Sequence, residues 1–153
     1  RELFEAGGIR GMVGGQWRDL EAERRTLTLP ELAEVHRGKT GALIRAAAVL
    51  GGIAAQASPE VPAALRRYGE EIGIAFQVAD DVLDATGTSE ELGKPAGRDV
   101  ALAKSTYVSD LGVAAARAEA VRHQRQAVAE LDDVSLVSGS LVALARYIVT
   151  RPS

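Results

Sequence analysis

Phe76-Gln77-Val78-Ala79-Asp80-Asp81-Val82-Leu83-Asp84 carries the densest chemistry of this 153-residue chain and sets its fold class. Its polar side chains recur at offsets of three and four, Gln77 to Asp80 and Asp81 and those two to Asp84, so on a helix they form one patch. Around them Ile72, Ile74, Phe76, Val78, Val82 and Leu83 are apolar and want burial. Three carboxylates at this spacing repel one another, and the negative end of the helix macrodipole disfavours each by about 0.3 to 1 kcal/mol. A cation offsets both terms. With no His or Cys beside them, these oxygens suit a hard divalent ion, and Mg²⁺ takes one or two carboxylates together with substrate phosphate oxygens. The implied ligand is a Mg²⁺-diphosphate, although the spacing alone fits an exposed acidic helix end equally well.

Working outward, residues 59–85 form a helical pattern about 40 Å long, with Ser58 as its cap and Pro59 in its first turn. Before it, Leu29-Pro30 interrupts the chain and a second helix is expected over residues 30–57. Residues 1–25 show a further helical pattern containing Gly11-Met12-Val13-Gly14-Gly15-Gln16, where each glycine costs the helix about 1 kcal/mol relative to alanine. Glycine kept at such a cost suggests close backbone approach. On the other side of the acidic stretch, Gly87, Gly93, Pro95 and Gly97 make residues 86–105 a loop, followed by helical patterns over 113–131 and 136–149.

Composition agrees with an all-α helical bundle. Aromatics are 4% of the chain, while Ala, Leu, Val and Glu dominate and glycine numbers 16, a profile of helices packed closely through small residues. At 46% apolar residues the chain can bury a sizeable core as one unit. With 18 basic and 21 acidic residues and no long run of one sign, a nucleic-acid partner is not expected. The absence of cysteine removes disulfides and thiolate chemistry and fits a cytoplasmic protein. The longest apolar run, residues 46–55, is half of the roughly 20 residues a membrane span needs, so no transmembrane segment is expected. Arg1-Glu2-Leu3-Phe4 reads as the interior of a helix, as if the start were a cut.

Cationic groups accompany the acids. Gly93-Lys94, Gly97-Arg98-Asp99 and Lys104-Ser105-Thr106 lie on a glycine-bearing loop able to fold back over the acidic patch and meet phosphate oxygens. Gly38-Lys39-Thr40-Gly41 supplies another phosphate contact but is not a P-loop, which needs glycine at the position of Ala33 and a preceding strand. Singly, Lys39, Lys94 and Lys104 each read more readily as surface lysines than as ligands. Gln16 and Asp19, three apart beside Gly14-Gly15, make a smaller polar pair that suits a structural hydrogen bond as well as a ligand. Trp17, His36 and Tyr68 read as packing or surface residues.

Taken in order, Gly14-Gly15-Gln16 with Asp19, Lys39-Thr40, Phe76-Gln77-x-x-Asp80-Asp81-x-x-Asp84, Leu92-Gly93-Lys94-x-x-Gly97-x-Asp99 and Lys104-x-Thr106-Tyr107 resemble the C-terminal motifs of the trans-isoprenyl diphosphate synthases. The resemblance spans essentially the whole chain, and His36-Arg37-Gly38-Lys39-Thr40-Gly41-Ala42-Leu43-Ile44-Arg45-Ala46 is particularly similar to bacterial farnesyl and geranylgeranyl diphosphate synthases. It implies an all-α bundle around a central cavity, of which residues 1–153 are the C-terminal part. It also implies that Asp80, Asp81 and Asp84 are the second aspartate-rich, Mg²⁺-binding motif. By the same resemblance Lys39, Thr40, Gln77, Lys94 and Lys104 act on the allylic diphosphate, and Gln16 and Asp19 join the binding set. The family's reaction ionises the allylic C–O bond and lets the double bond of isopentenyl diphosphate attack the carbocation, the departing diphosphate assisting proton loss. A homodimer, or association with the missing half, is the implied assembly.

The family's first aspartate-rich motif is not in these residues. Asp132-Asp133 lacks the third carboxylate and reads as a helix end. Arg151 is followed by Pro152 and Ser153 where similar proteins carry a basic tail near the isopentenyl diphosphate site, so a tail contribution from Arg151 is not expected. Two other functional classes fit parts of the pattern: a non-catalytic subunit that modulates a catalytic prenyltransferase, and a terpene cyclase, against which the low aromatic content counts.

Overall fold

Among the described residues, one long helix that carries the acidic stretch packs against most of the other helices. The computed structural model describes residues 1–23, 25–87, 104–132, 134, 136 and 138–151. Within them the chain forms α1 (Glu2–Gly7), α2 (Met12–Ala22), α3 (Leu29–His36), a π turn (Arg37–Gly41), α4 (Ala42–Ala54), α5 (Glu60–Thr86), α6 (Tyr107–Leu111), α7 (Val113–Ala129) and α8 (Gly139–Thr150), with no strand among the described residues. The all-α class expected from composition and periodicity is the one found.

At 27 residues, α5 spans about 40 Å. Val61, Leu65, Tyr68, Ile72, Ile74, Val78 and Val82 are buried along it on more than one face, which a helix shows when neighbours cover it on several sides. Its principal neighbours are α4 and α7. Toward its start, Tyr68 and Ile72 pack with Leu131 and Ile148, and the Tyr68 hydroxyl donates to the Leu141 carbonyl at 2.8 Å. Toward its end, Ile74, Val78 and Val82 pack with Leu32, Val35, Tyr107 and Ala116. The acidic end of α5 is therefore held by α3, α6 and α7.

Three element boundaries differ from expectation. Residues 1–25 are not one helix, because the chain turns back between Gly7 and Met12, so tightly that a Cβ on Gly11 would lie 2.1 Å from the Ala6 carbonyl oxygen. Residues 30–57 are interrupted by the π turn, the kind of single-turn insertion that recurs at functional sites. The short α6 occupies residues for which no element is expected; Thr106 caps it, the Ser109 N–H donating to Thr106 Oγ1 at 3.0 Å and the Thr106 N–H to Ser109 Oγ at 2.9 Å. By contrast α5 agrees with its expected span within one residue, Pro59 standing at the N-cap. Most of the loop expected over 86–105 lies outside the described residues.

One surface is unlike the rest. On α1, α2 and the turn between them, Leu3, Phe4, Ile9, Val13 and Trp17 are exposed, Phe4 by 86% and Trp17 by 64%. No helix among the described residues is long and apolar enough to cross a membrane.

Candidate functional site

Glycines bring the polar segments together. A Cβ on Gly15 would lie 2.0 Å from the Lys39 amide nitrogen, and one on Gly38 would lie 2.9 Å from the Gly15 Cα, so α2 and the π turn touch backbone to backbone. Gly41 and Gly73 do the same between the π turn and α5, where a Cβ on Gly73 would lie 2.5 Å from the Gly41 Cα. Only residues without a side chain permit such approaches. The consequence is a cavity of about 380 Å³ whose walls include Gln16, Asp19, His36, Lys39, Gln77, Asp80, Asp81, Asp84 and Lys104.

Eight of the residues expected from sequence thus meet at one cavity: Gln16, Asp19, Lys39, Gln77, Asp80, Asp81, Asp84 and Lys104. Thr40 is half-buried in the π turn and does not line that cavity. Lys94 lies outside the described residues. An adjoining cavity of about 430 Å³ shares Asp81, Asp84 and Lys104 and is otherwise walled in part by Leu27, Leu29 and Val108.

On the cationic side, Lys39 Nζ is 2.8 Å from Asp19 Oδ2, and Lys104 Nζ is 2.9 Å from both Asp19 oxygens. Asp19 is buried, and burial alone would push its carboxyl up; hydrogen bonds from the two ammonium groups outweigh that and hold it below the usual carboxylate value. Lys104 is steadied through its neighbour, since Ser105 Oγ accepts the Leu27 N–H at 2.9 Å.

His36 stands beside this group. It is 6% exposed, its ring is 5.8 Å from that of Tyr107, and its Nδ1 is buried without a hydrogen-bond partner. Burial lowers its pKa to about 4, the charges of Lys39 and Lys104 adding to the effect and Asp19 opposing it, so the imidazole is neutral at pH 7. Read from sequence as a packing residue, His36 packs but also faces the cavity. Its position three before Lys39 was the available signal.

On the acidic side, Asp81 Oδ2 accepts the Tyr107 N–H at 3.0 Å, and Asp84 is buried. Asp80 Oδ1 lies 3.3 Å from Arg151 Nη2, and the Arg151 guanidinium sits over the Phe76 ring at 4.4 Å from its centroid. This contact was not expected from sequence: α8 packs on α5 and ends where Arg151 reaches Asp80. Among the described residues no three His, Cys, Asp or Glu side chains converge into a self-sufficient metal cage. The donor set instead suits an ion such as Mg²⁺ that takes one or two carboxylates and draws its other oxygens from water and a phosphate ligand. Ammonium groups on one wall and carboxylates on the other complement an anion bridged to such an ion.

A profile of the polyprenyl synthetase family matches residues 5–135. The chain is 46% identical over 155 residues to the farnesyl diphosphate synthase of Escherichia coli K12, covering 98% of this chain and 52% of that protein. It is 40% identical over 150 residues to the farnesyl diphosphate synthase of Bacillus subtilis 168, covering 98% of this chain and 51% of that one. The crystal structure of a Helicobacter pylori geranyltransferase, described as complexed with magnesium and isoprenyl diphosphate, superposes with a TM-score of 0.80 at 32% identity, over 97% of this chain and 48% of that one. The chain spans about half the length of the curated relatives it matches.

Proposed function

The chain belongs to the polyprenyl synthetase family, and on that premise we propose that it is the diphosphate-binding C-terminal part of a single-domain prenyltransferase of the farnesyl or geranylgeranyl kind. The complete enzyme condenses isopentenyl diphosphate with an allylic diphosphate in isoprenoid biosynthesis. The observation that carries this reading is the convergence of Lys39, Lys104, Gln77 and three carboxylates, from segments far apart in the chain, on one cavity.

Each residue has a part in the proposal. Lys39 and Lys104 neutralise the oxygens of the allylic diphosphate and stabilise the negative charge that grows on it as the C–O bond breaks. Gln77 donates hydrogen bonds to the same group, and Lys94 and Thr40 belong to the set by their motifs. Asp80, Asp81 and Asp84 hold Mg²⁺, which when bound supplies further positive charge to the leaving diphosphate. Magnesium beside isoprenyl diphosphate in the Helicobacter pylori relative supports that assignment. Proton loss after condensation goes to the departing diphosphate, so the reaction needs no histidine base.

The first aspartate-rich motif and the isopentenyl diphosphate site belong to an N-terminal half. The exposed apolar surface of α1 and α2 supports such a partner, because a surface of that kind is covered in the working protein. By the same reading the enzyme is cytoplasmic and works as a homodimer or in association with that half.

The test is to incubate the purified chain with Mg²⁺, geranyl diphosphate and labelled isopentenyl diphosphate, with and without an added N-terminal half, and to separate the extracted products by length. Product is expected only when both halves are present. Robust turnover by the chain alone would refute the division of labour. No turnover in either case, together with tight binding to an intact synthase, would make the chain a non-catalytic regulatory subunit.

A further inference from the structure

Asp19, paired with Gln16 on α2 as a candidate ligand contact, has surroundings that suit another task. Both of its oxygens are taken up by ammonium groups: Lys39 Nζ at 2.8 Å from Oδ2, and Lys104 Nζ at 2.9 Å from each oxygen. A carboxylate engaged in this way adds nothing to the capture of an anion, and its charge opposes it. What it does achieve is convergence. Two nitrogens within 2.9 Å of one oxygen are at most about 6 Å apart, a separation at which two cations in a cavity repel each other unless an anion lies between them.

The placement of Asp19 is itself fixed. It lies one helical turn beyond Gly15 on α2, and Gly15 is the point where that helix touches the backbone of Lys39 and Gly38. The carboxylate is buried. Lys39 and Lys104 have side chains that are 32% and 19% exposed, long flexible stems that without an anchor would turn their charged ends toward water.

We propose that Asp19 is a positioning residue that clamps Lys39 and Lys104 into one two-ammonium site, and that this preformed site is the one that receives the diphosphate. The ligand assignment rests on the function proposed above; the clamp does not. A diphosphate presents oxygens on two phosphorus centres and suits two ammonium groups held a few ångströms apart. The clamp lowers the entropy lost on binding, because the lysine stems are already ordered.

The two roles open to Asp19 predict opposite signs. If it is only a competing anion, Asp19→Asn makes the cavity more positive and inorganic diphosphate binds more tightly. If it is the clamp, Asp19→Asn releases both lysines and binding weakens by about tenfold despite the added positive charge. The measurement is calorimetric titration of inorganic diphosphate into the full chain without divalent ion, on wild type, Asp19→Asn and Asp19→Glu. Tighter or unchanged binding in Asp19→Asn overturns the proposal, and partial rescue in Asp19→Glu supports it.

A second measurement needs no Asp19 variant. Ammonium groups held by a buried carboxylate exchange slowly enough to give proton–nitrogen correlation signals, which free lysines lose to water. Two such signals are expected in the ligand-free wild type, assigned by their loss in Lys39→Gln and Lys104→Gln. Their absence overturns the clamp. Signals present in a wild-type chain that takes up no diphosphate would leave the clamp standing and remove the ligand assignment.

Discussion

Gly15→Ala and Gly51→Ala make the same chemical change in two helices and are expected to move stability in opposite directions. Each adds one methyl group and gains up to about 1 kcal/mol of helix propensity. At Gly51, on the exposed side of α4, a Cβ meets nothing within 4 Å, so the gain stands at about 0.5 to 1 kcal/mol. At Gly15 the same carbon would lie 2.0 Å from the Lys39 nitrogen and 2.4 Å from the Gly38 carbonyl carbon, against ordinary carbon contacts of about 3.5 to 4.0 Å. Both obstacles are backbone and neither can rotate aside, so α2 must move away from the π turn by more than 1 Å or so. That motion adds an overpacking cost of about 1 to 3 kcal/mol to the loosening of the Lys39–Asp19 pair at 2.8 Å. The net for Gly15→Ala is a loss of about 2 to 4 kcal/mol, or roughly 5 to 15 °C in Tm, and for Gly51→Ala a rise of about 1 to 4 °C. Thermal melts of the full chain by far-UV circular dichroism measure both. A Gly15→Ala variant melting at or above wild type would refute the claim that backbone contact between α2 and the π turn holds the site together.

Three further outcomes follow from single side chains. His36 has a folded pKa of about 4, below the ordinary 6.5, so between those values the unfolded chain takes a proton that the folded chain does not. The stability due to neutral His36 is therefore whole above about pH 6.5 and falls by about 3 kcal/mol as pH drops toward 4. His36→Gln should flatten that part of the urea-unfolding profile, and an unchanged slope would contradict it; the lowered carboxyl of Asp19 acts in the same direction but remains in the variant. Tyr68→Phe removes the 2.8 Å bond to the half-buried Leu141 carbonyl, a cost of about 1 kcal/mol in chemical denaturation, and unchanged stability would contradict it. In a synthase completed with its N-terminal half, Asp80→Asn should lower prenyl transfer by about 100-fold while the melting temperature holds, and near-normal turnover would remove Asp80 from the metal site.

Much of this was legible in the chain itself. Gln77, Asp80, Asp81 and Asp84 share a face because three- and four-residue spacing on a helix is a local property, and α5 formed within one residue of its expected span. The glycines of α2, read as a mark of close backbone approach, meet the π turn at Gly15 and Gly38. Other features left no comparable local trace. The π turn has good helix formers on either side, and the wider turn answers to its contacts with α2 and α5. Arg151 reaches Asp80 only because α8 packs on α5, and no spacing within residues 139–151 reports that.

The order of the motifs, the helical periodicity and the acidic chemistry were determined by the sequence alone, because each depends on residues a few positions apart. Which charge neutralises which was decided by the tertiary structure. Asp19 faces Lys39 and Lys104 from another helix, His36 loses its charge by burial beside those ammonium groups, and Thr40 sits away from the cavity while its neighbour Lys39 lines it. Such pairings depend on distances between segments remote in the chain, and a distance of that kind exists only once the backbones have met at Gly15 and Gly38, and at Gly41 and Gly73.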